Sequence, residues 1–124
     1  MSMTVPNFRG MSPLLLVTDL ERSMAFYGEH LGFAIDFRYE DFYAGMVKGS
    51  FTIHFKCGKP NPRGRQDGGK SEELDLVFSV ADIEELHDAM KGGAVEIIQP
   101  LREMPYGQEF YISDPDGYII SFLE

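Results

Sequence analysis

The spacing of apolar positions along this chain changes from strand-like to helix-like twice, in the same manner each time. Residues 12–18, Ser-Pro-Leu-Leu-Leu-Val-Thr, read as a mostly buried strand. Leu20, Met24, Tyr27 and Leu31 then recur at steps of four, three and four, the stripe of an amphipathic helix. Asp19 suits the N-cap of that helix, and Gly32 suits a left-handed stop behind it. Residues 74–80 repeat the strand, Asp82 the cap, and Ile83, Leu86 and Met90 the stripe, with Gly92-Gly93 as the stop. Asp19 and Asp82 lie 63 positions apart, as do Leu20 and Ile83. A repeat of that length is too long for a solenoid unit and too short for a full domain.

Three strands follow each helix. In the first copy they fall at 34–39, 42–48 and 50–57, with a hairpin at Lys48-Gly49. The last of these alternates cleanly: Phe51, Ile53 and Phe55 share one face, Thr52, His54 and Lys56 the other. In the second copy, 95–98 reads as a short strand, followed by a loop around Pro100 to Tyr106. Strands at 108–113 and 118–123 are joined by Asp114-Pro115-Asp116-Gly117, a strong turn signal. The order β-α-β-β-β therefore occurs twice. The expected class is α+β, with two βαβββ modules forming paired curved mixed sheets around a cleft and helices on the outer faces. One domain spans 1–124: repeat 1 at about 11–57, a connection at 58–73, and repeat 2 at about 74–124. The connection is rich in Gly and Pro, and basic residues crowd it and the strand end before it: Lys56, then Lys59, Arg63, Arg65 and Lys70.

The 124-residue chain is 44% apolar, enough for a real core. Its net charge of −9 repels phosphate backbones, so no nucleic-acid partner is expected, and it favours a cationic one. No apolar run approaches the ~20 residues that span a bilayer, so no membrane role is expected. Residues 1–10 lack a secretory pattern, and the one cysteine, Cys57, allows no internal disulfide; both point to the cytoplasm. No phosphate loop, CxxC pair, HExxH or Ser-His-Asp arrangement is present.

His54 is the most informative polar residue, because its parity turns it away from Phe51, Ile53 and Phe55. Asp75 opens a strand among apolar residues, and a carboxylate there needs a partner. A His54–Asp75 pair would satisfy both and could serve as a general base. His30 and His87 fall on or beside the polar faces of their helices and are expected at the surface. Among the aromatics, Tyr39 and Tyr106 are expected at the rim of a site that would stack a flat or cationic molecule.

Four stretches in order carry a resemblance: residues 14–27 (LLLVTDLERSMAFY), Leu31-Gly32-Phe33, Val80-Ala81-Asp82 and Asp114-Pro115-Asp116-Gly117-Tyr118. With these spacings, over Met11 to Glu124, the chain resembles the glyoxalase / bleomycin-resistance / extradiol-dioxygenase superfamily, also called vicinal oxygen chelate. The resemblance implies a divalent-metal position on each of four strands, here Ser12, His54, Asp75 and Ser121. Two serines are poor ligands for Zn, Ni, Fe or Mn, which leaves His54 and Asp75. Ile53-His54-Phe55 and Pro105-Tyr106-Gly107 are similar to the bleomycin-resistance branch. That branch implies a metal-free homodimer, without a cofactor, that sequesters a small aromatic or cationic molecule between repeats and so confers resistance. His54, Asp75, Tyr39, Tyr106, Tyr111 and Ser121 are then the expected ligand contacts. The alternative is a metal-dependent lyase, isomerase or dioxygenase holding its ion on His54 and Asp75.

Overall fold

Alternation and helical stripe both appear where the sequence puts them. The computed structural model describes residues 4–65 and 73–124. The part of the connection that carries Gly68, Gly69, Lys70 and Glu72 lies outside the described residues, as do residues 1–3. The elements run β1 (Leu14–Val17), α1 (Leu20–Leu31), β2 (Ala34–Tyr39), β3 (Tyr43–Lys48) and β4 (Phe51–Cys57). A short 3-10 turn at Arg63–Arg65 follows. The second module is β5 (Leu76–Ser79), α2 (Ile83–Lys91), β6 (Glu96–Met104), β7 (Gly107–Ser113) and β8 (Ile119–Leu123). The class is α+β, two βαβββ modules. Each forms a four-stranded mixed sheet, β1-β4-β3-β2 and β5-β8-β7-β6, in which the first and last strands pair in parallel.

Helix α1 begins and ends as its sequence dictates. Asp19 is extended, and its carboxylate accepts from Arg22 N at 3.2 Å. Gly32 takes the left-handed conformation at φ 77° and closes the helix. The second helix corrects the expectation. Asp82 sits at φ 57° and makes no side-chain cap, because a cap side chain needs an extended backbone to fold back over the first turn. The carboxylate of Glu124 does that work from the far end of the chain, accepting from Asp82 N at 3.1 Å and Ile83 N at 2.9 Å. A second correction concerns β6, which runs through Met104 instead of ending near 98. Pro100 is tolerated because β6 is an edge strand with register shifts on both sides of Gln99.

The two sheets share one core, and it lies on the helix side of both. Val17, Met46, Ile53 and Phe55 of the first sheet and Phe110, Ile112, Ile120 and Phe122 of the second belong to a single buried cluster with Leu20, Tyr27 and Ile83. His87 joins it, contrary to the expected surface position. Its Nε2 accepts from Leu101 N at 3.2 Å and its ring meets Phe110 edge-on, which satisfies a buried imidazole. His30 is half-buried against Phe26.

The modules are clasped by the turn between β7 and β8. Asp114 Oδ1 accepts from Asp116 N and Tyr118 N, both at 2.9 Å, while Oδ2 accepts the hydroxyl of buried Tyr27 at 2.8 Å. Asp116 meets Arg22 Nη2 at 3.0 Å, and the Tyr118 hydroxyl donates to Leu16 O at 2.6 Å. Burial raises the Asp114 pKa above the usual carboxylate range, and the hydrogen bonds from Tyr27, Tyr118 and Asp116 oppose that rise only in part. Substitution Asp114→Ala strands three donors, two of them buried, and is expected to cost about 3 kcal/mol in urea denaturation. Asp114→Asn keeps the amide acceptor, removes the buried charge and should cost about 1 kcal/mol. Equal losses for the two variants would show that the clasp is not what joins the modules.

Candidate functional site

The faces turned away from the common core carry the chemistry. In the first sheet, strand parity and register put Leu14 and Leu16 of β1, Thr52 and His54 of β4, Tyr43 and Gly45 of β3, and Phe37 and Tyr39 of β2 on that face. Among the described residues the imidazole of His54 is hydrogen-bonded on one side only: its Nδ1 shares a hydrogen bond of 2.9 Å with the Tyr43 hydroxyl. Phe37 stacks on Tyr43 at 5.9 Å between centroids and meets His54 edge-on at 5.2 Å. Gly45 makes this possible, since a Cβ there would fall 2.3 Å from the Phe37 ring. The array opens into a hollow of about 780 Å³ lined by Arg9, Gly10, Met11, Ser12, Phe37 and His54, all from the first module and the segment leading into it. Leu14 is 49% exposed, Phe37 40% and Tyr39 63%. Tyr39 touches Phe42 edge-on rather than joining the Phe37 stack.

The corresponding face of the second sheet holds a polar network. Buried Glu109 of β7 pairs with Arg102 of β6 at 2.6 Å and accepts the hydroxyls of Tyr106 at 2.6 Å and Tyr111 at 2.9 Å. Burial pushes the Glu109 pKa up, but the hydrogen bonds from Tyr106, Arg102 and Tyr111 and the guanidinium charge outweigh it and bring it below the ordinary value. Burial and the Glu109 carboxylate push the Tyr111 phenol up to about 12, so it stays a donor. Arg102 also lies over the Tyr111 ring, 5.4 Å from its centroid. Ser121 is buried on β8 in register with Tyr111 and Val77. Sequence reasoning passed over Glu109 and Arg102; the alternation of Glu109 with Tyr111 along β7 was an available signal, whereas Arg102 falls in the stretch that reads as a loop.

Asp75 does not pair with His54. Its Oδ1 accepts from Arg63 N at 3.1 Å and its Oδ2 from Ile119 N at 2.8 Å, so it anchors the start of β5 to β8 and to the connection. A carboxylate satisfied by nearby backbone amides has little call on a distant imidazole. Ser12 bonds to Thr52 Oγ1 on the His54 face.

A family model matches residues 11–122, described as the Glyoxalase/Bleomycin resistance protein/Dioxygenase superfamily. The chain belongs to this superfamily. The bleomycin-binding protein of bleomycin-producing Streptomyces verticillus, solved with copper(II)-bleomycin, is 25% identical, with 96% of this chain and 98% of that chain covered and a TM-score of 0.67. FosX, the fosfomycin resistance protein of Listeria monocytogenes, is 16% identical over 97% of this chain and 93% of that chain, TM-score 0.74. Lactoylglutathione lyase from Agrobacterium tumefaciens is 16% identical over 97% and 96%, TM-score 0.72. The last two likenesses establish the fold alone. No curated protein matches the chain.

The divalent metal that the superfamily implies does not fit these residues. Two of the four positions are serines, Ser12 is bonded to Thr52, and the Asp75 carboxylate is engaged by two backbone amides. Among the described residues no three His, Cys, Asp or Glu side chains gather as ligands.

Two outcomes test this geometry. Gly45→Ala should expel the Phe37 ring while leaving the sheet folded, because that ring is partly exposed and free to swing out. Nuclear Overhauser contacts between Phe37 and His54 should disappear; their survival would refute the arrangement. Glu109→Gln should destabilise the protein by about 1–3 kcal/mol at neutral pH. A depressed carboxylate pKa adds stability above its unfolded value, near 4.3, and that stability is lost as pH falls through the folded value. The gap between wild type and variant should therefore close below about pH 4 in pH-dependent melting.

Proposed function

We propose that this chain is a metal-free small-molecule binding protein of the bleomycin-resistance kind. It sequesters an aromatic or cationic compound in a cleft that a second copy of the chain completes. The observation that carries the reading is the Phe37–Tyr43–His54 array, standing on a sheet face that its own chain leaves open. Flat rings and one oriented imidazole suit stacking and hydrogen bonding to a ligand, and leave too few donors to grip an ion. The net charge of −9 favours a cationic ligand, and the 25% identical bleomycin-binding protein supports the mode of binding.

Both modules spend their helix sides on the shared core, so the remaining sheet faces need a partner to bury Leu14, Phe37 and Val77. A two-fold homodimer would set the His54 face of one protomer against the Tyr111 face of the other, giving two equivalent clefts. His54 and Tyr39 would then contact the ligand from one chain. Tyr106 and Tyr111 would do so from the other, over a floor that includes Asp75 and Ser121. A cytoplasmic site of action fits a chain whose one thiol, on Cys57, has no disulfide partner.

Calorimetry with bleomycin as a cationic, ring-bearing probe, together with thermal melting, tests the proposal. Saturable binding, a raised Tm and about tenfold weaker binding by His54→Ala are expected. Sedimentation should give a dimer that Leu14→Asp disrupts. Freshly purified protein should hold Zn, Ni, Fe and Mn far below one ion per chain. Near-stoichiometric metal would overturn the metal-free reading in favour of a lyase, isomerase or dioxygenase. A ligand-indifferent monomer would overturn the proposal altogether.

A further inference from the structure

A second cavity lies on the opposite side of the sheets, between the modules, with a volume of about 360 Å³. Its walls are Leu31 and Phe33 at the end of α1, Phe51 of β4, Phe78 of β5, and Leu86 and Met90 of α2. It shares no residue with the hollow over His54. The chain carries 20 acidic residues, yet no acid among the described residues lines this space; its charged liner is Lys48, with His30 beside it.

Lys48 is placed and unspent. Its Nζ lies 2.9 Å from where a Cβ on Gly32 would stand, so the ammonium rests on the left-handed C-cap of α1. Carbonyl groups at a helix C-terminus favour a cation there. Among the described residues Lys48 enters no ion pair. Phe51, at the mouth, is 64% exposed. An apolar chamber with one unpaired ammonium at its rim is complementary to a molecule with an apolar body and a single anionic head. At about 360 Å³ it is near the lower end of ligand pockets, which run from roughly 300 to 1,000 Å³.

We propose that this inter-module cavity is a binding site for a small amphipathic carboxylate, its apolar body held between α1 and α2 and its carboxylate on Lys48. The site is independent of the cleft reading, since its residues and its preferred charge both differ. Because its walls come from both modules, a bound molecule holds them together and raises the unfolding temperature.

The chain has no tryptophan, so Phe51→Trp at the exposed rim supplies a fluorescent reporter. Decanoate should change its emission saturably and raise the Tm. Calorimetry on the unlabelled chain guards against an effect of the reporter. Lys48→Ala should weaken decanoate about tenfold, and Lys48→Arg should largely restore it. Circular dichroism confirms that each variant is folded. The proposal fails if decanoate gives no saturable response, if Lys48→Ala binds it as well as wild type does, or if decyltrimethylammonium binds equally well.

Discussion

A buried carboxylate that must satisfy donors from two halves of the chain governs this structure. Asp114 holds its own turn together through two backbone amides and reaches across the module boundary to the hydroxyl of Tyr27. Neither group could be buried alone without losing about 1–3 kcal/mol or more, so each justifies the other's burial. Burial and the neighbouring Asp114 carboxylate keep the Tyr27 phenol well above its ordinary pKa, which fixes it as the donor. Tyr27 on the buried stripe of α1 and the Asp114-Pro115-Asp116-Gly117 turn are thus two sides of one contact, although far apart in the sequence.

That clasp decides which faces of the sheets are interior. Tyr27 lies on the helix side, and the turn that receives it draws the second module onto the same side. Phe33 and Phe78 then meet across the boundary at 6.1 Å. The opposite faces are left with side chains that a core would not choose: a histidine, tyrosines, and an arginine–glutamate pair held by hydroxyls. Polar groups on a sheet face need partners, and each face supplies its own, which leaves shaped, pre-oriented surfaces instead of a generic polar exterior.

Much of this was legible in the chain. Period-two alternation in 51–57 fixed the direction of His54, and the 63-residue offset exposed the duplication. What escaped was set by distance in sequence. The cap of α2 is Glu124, some forty positions beyond the helix start, so local reasoning assigned Asp82 instead. His87 sits on what looked like a polar face, but Leu101 of an unexpectedly long β6 offers it an amide. Asp75 found amide partners on β8 and in the connection, which no spacing rule anticipates. Glycine at 45 reads as an ordinary weak point in a strand until Phe37 is seen lying over it.

The Tyr43–His54 bond bears on whether an ion or a ring is the natural occupant of the first face. A hydrogen bond to one imidazole nitrogen orients the ring and, among the described residues, leaves Nε2 without a hydrogen-bond partner, the same device that prepares a metal ligand. Orientation alone does not make a metal site, because an ion needs about three protein donors converging on one point. Ser12, which lines the same hollow, is tied to Thr52, and the Phe37 ring meets the imidazole edge-on at 5.2 Å. An aromatic ring at that place contributes dispersion and a negative π-face, which attract planar and cationic groups and offer nothing to coordinate a dication. The oriented imidazole is therefore better suited to hydrogen bonding than to coordination, which is the ground for proposing that this face takes its ligand by shape and stacking.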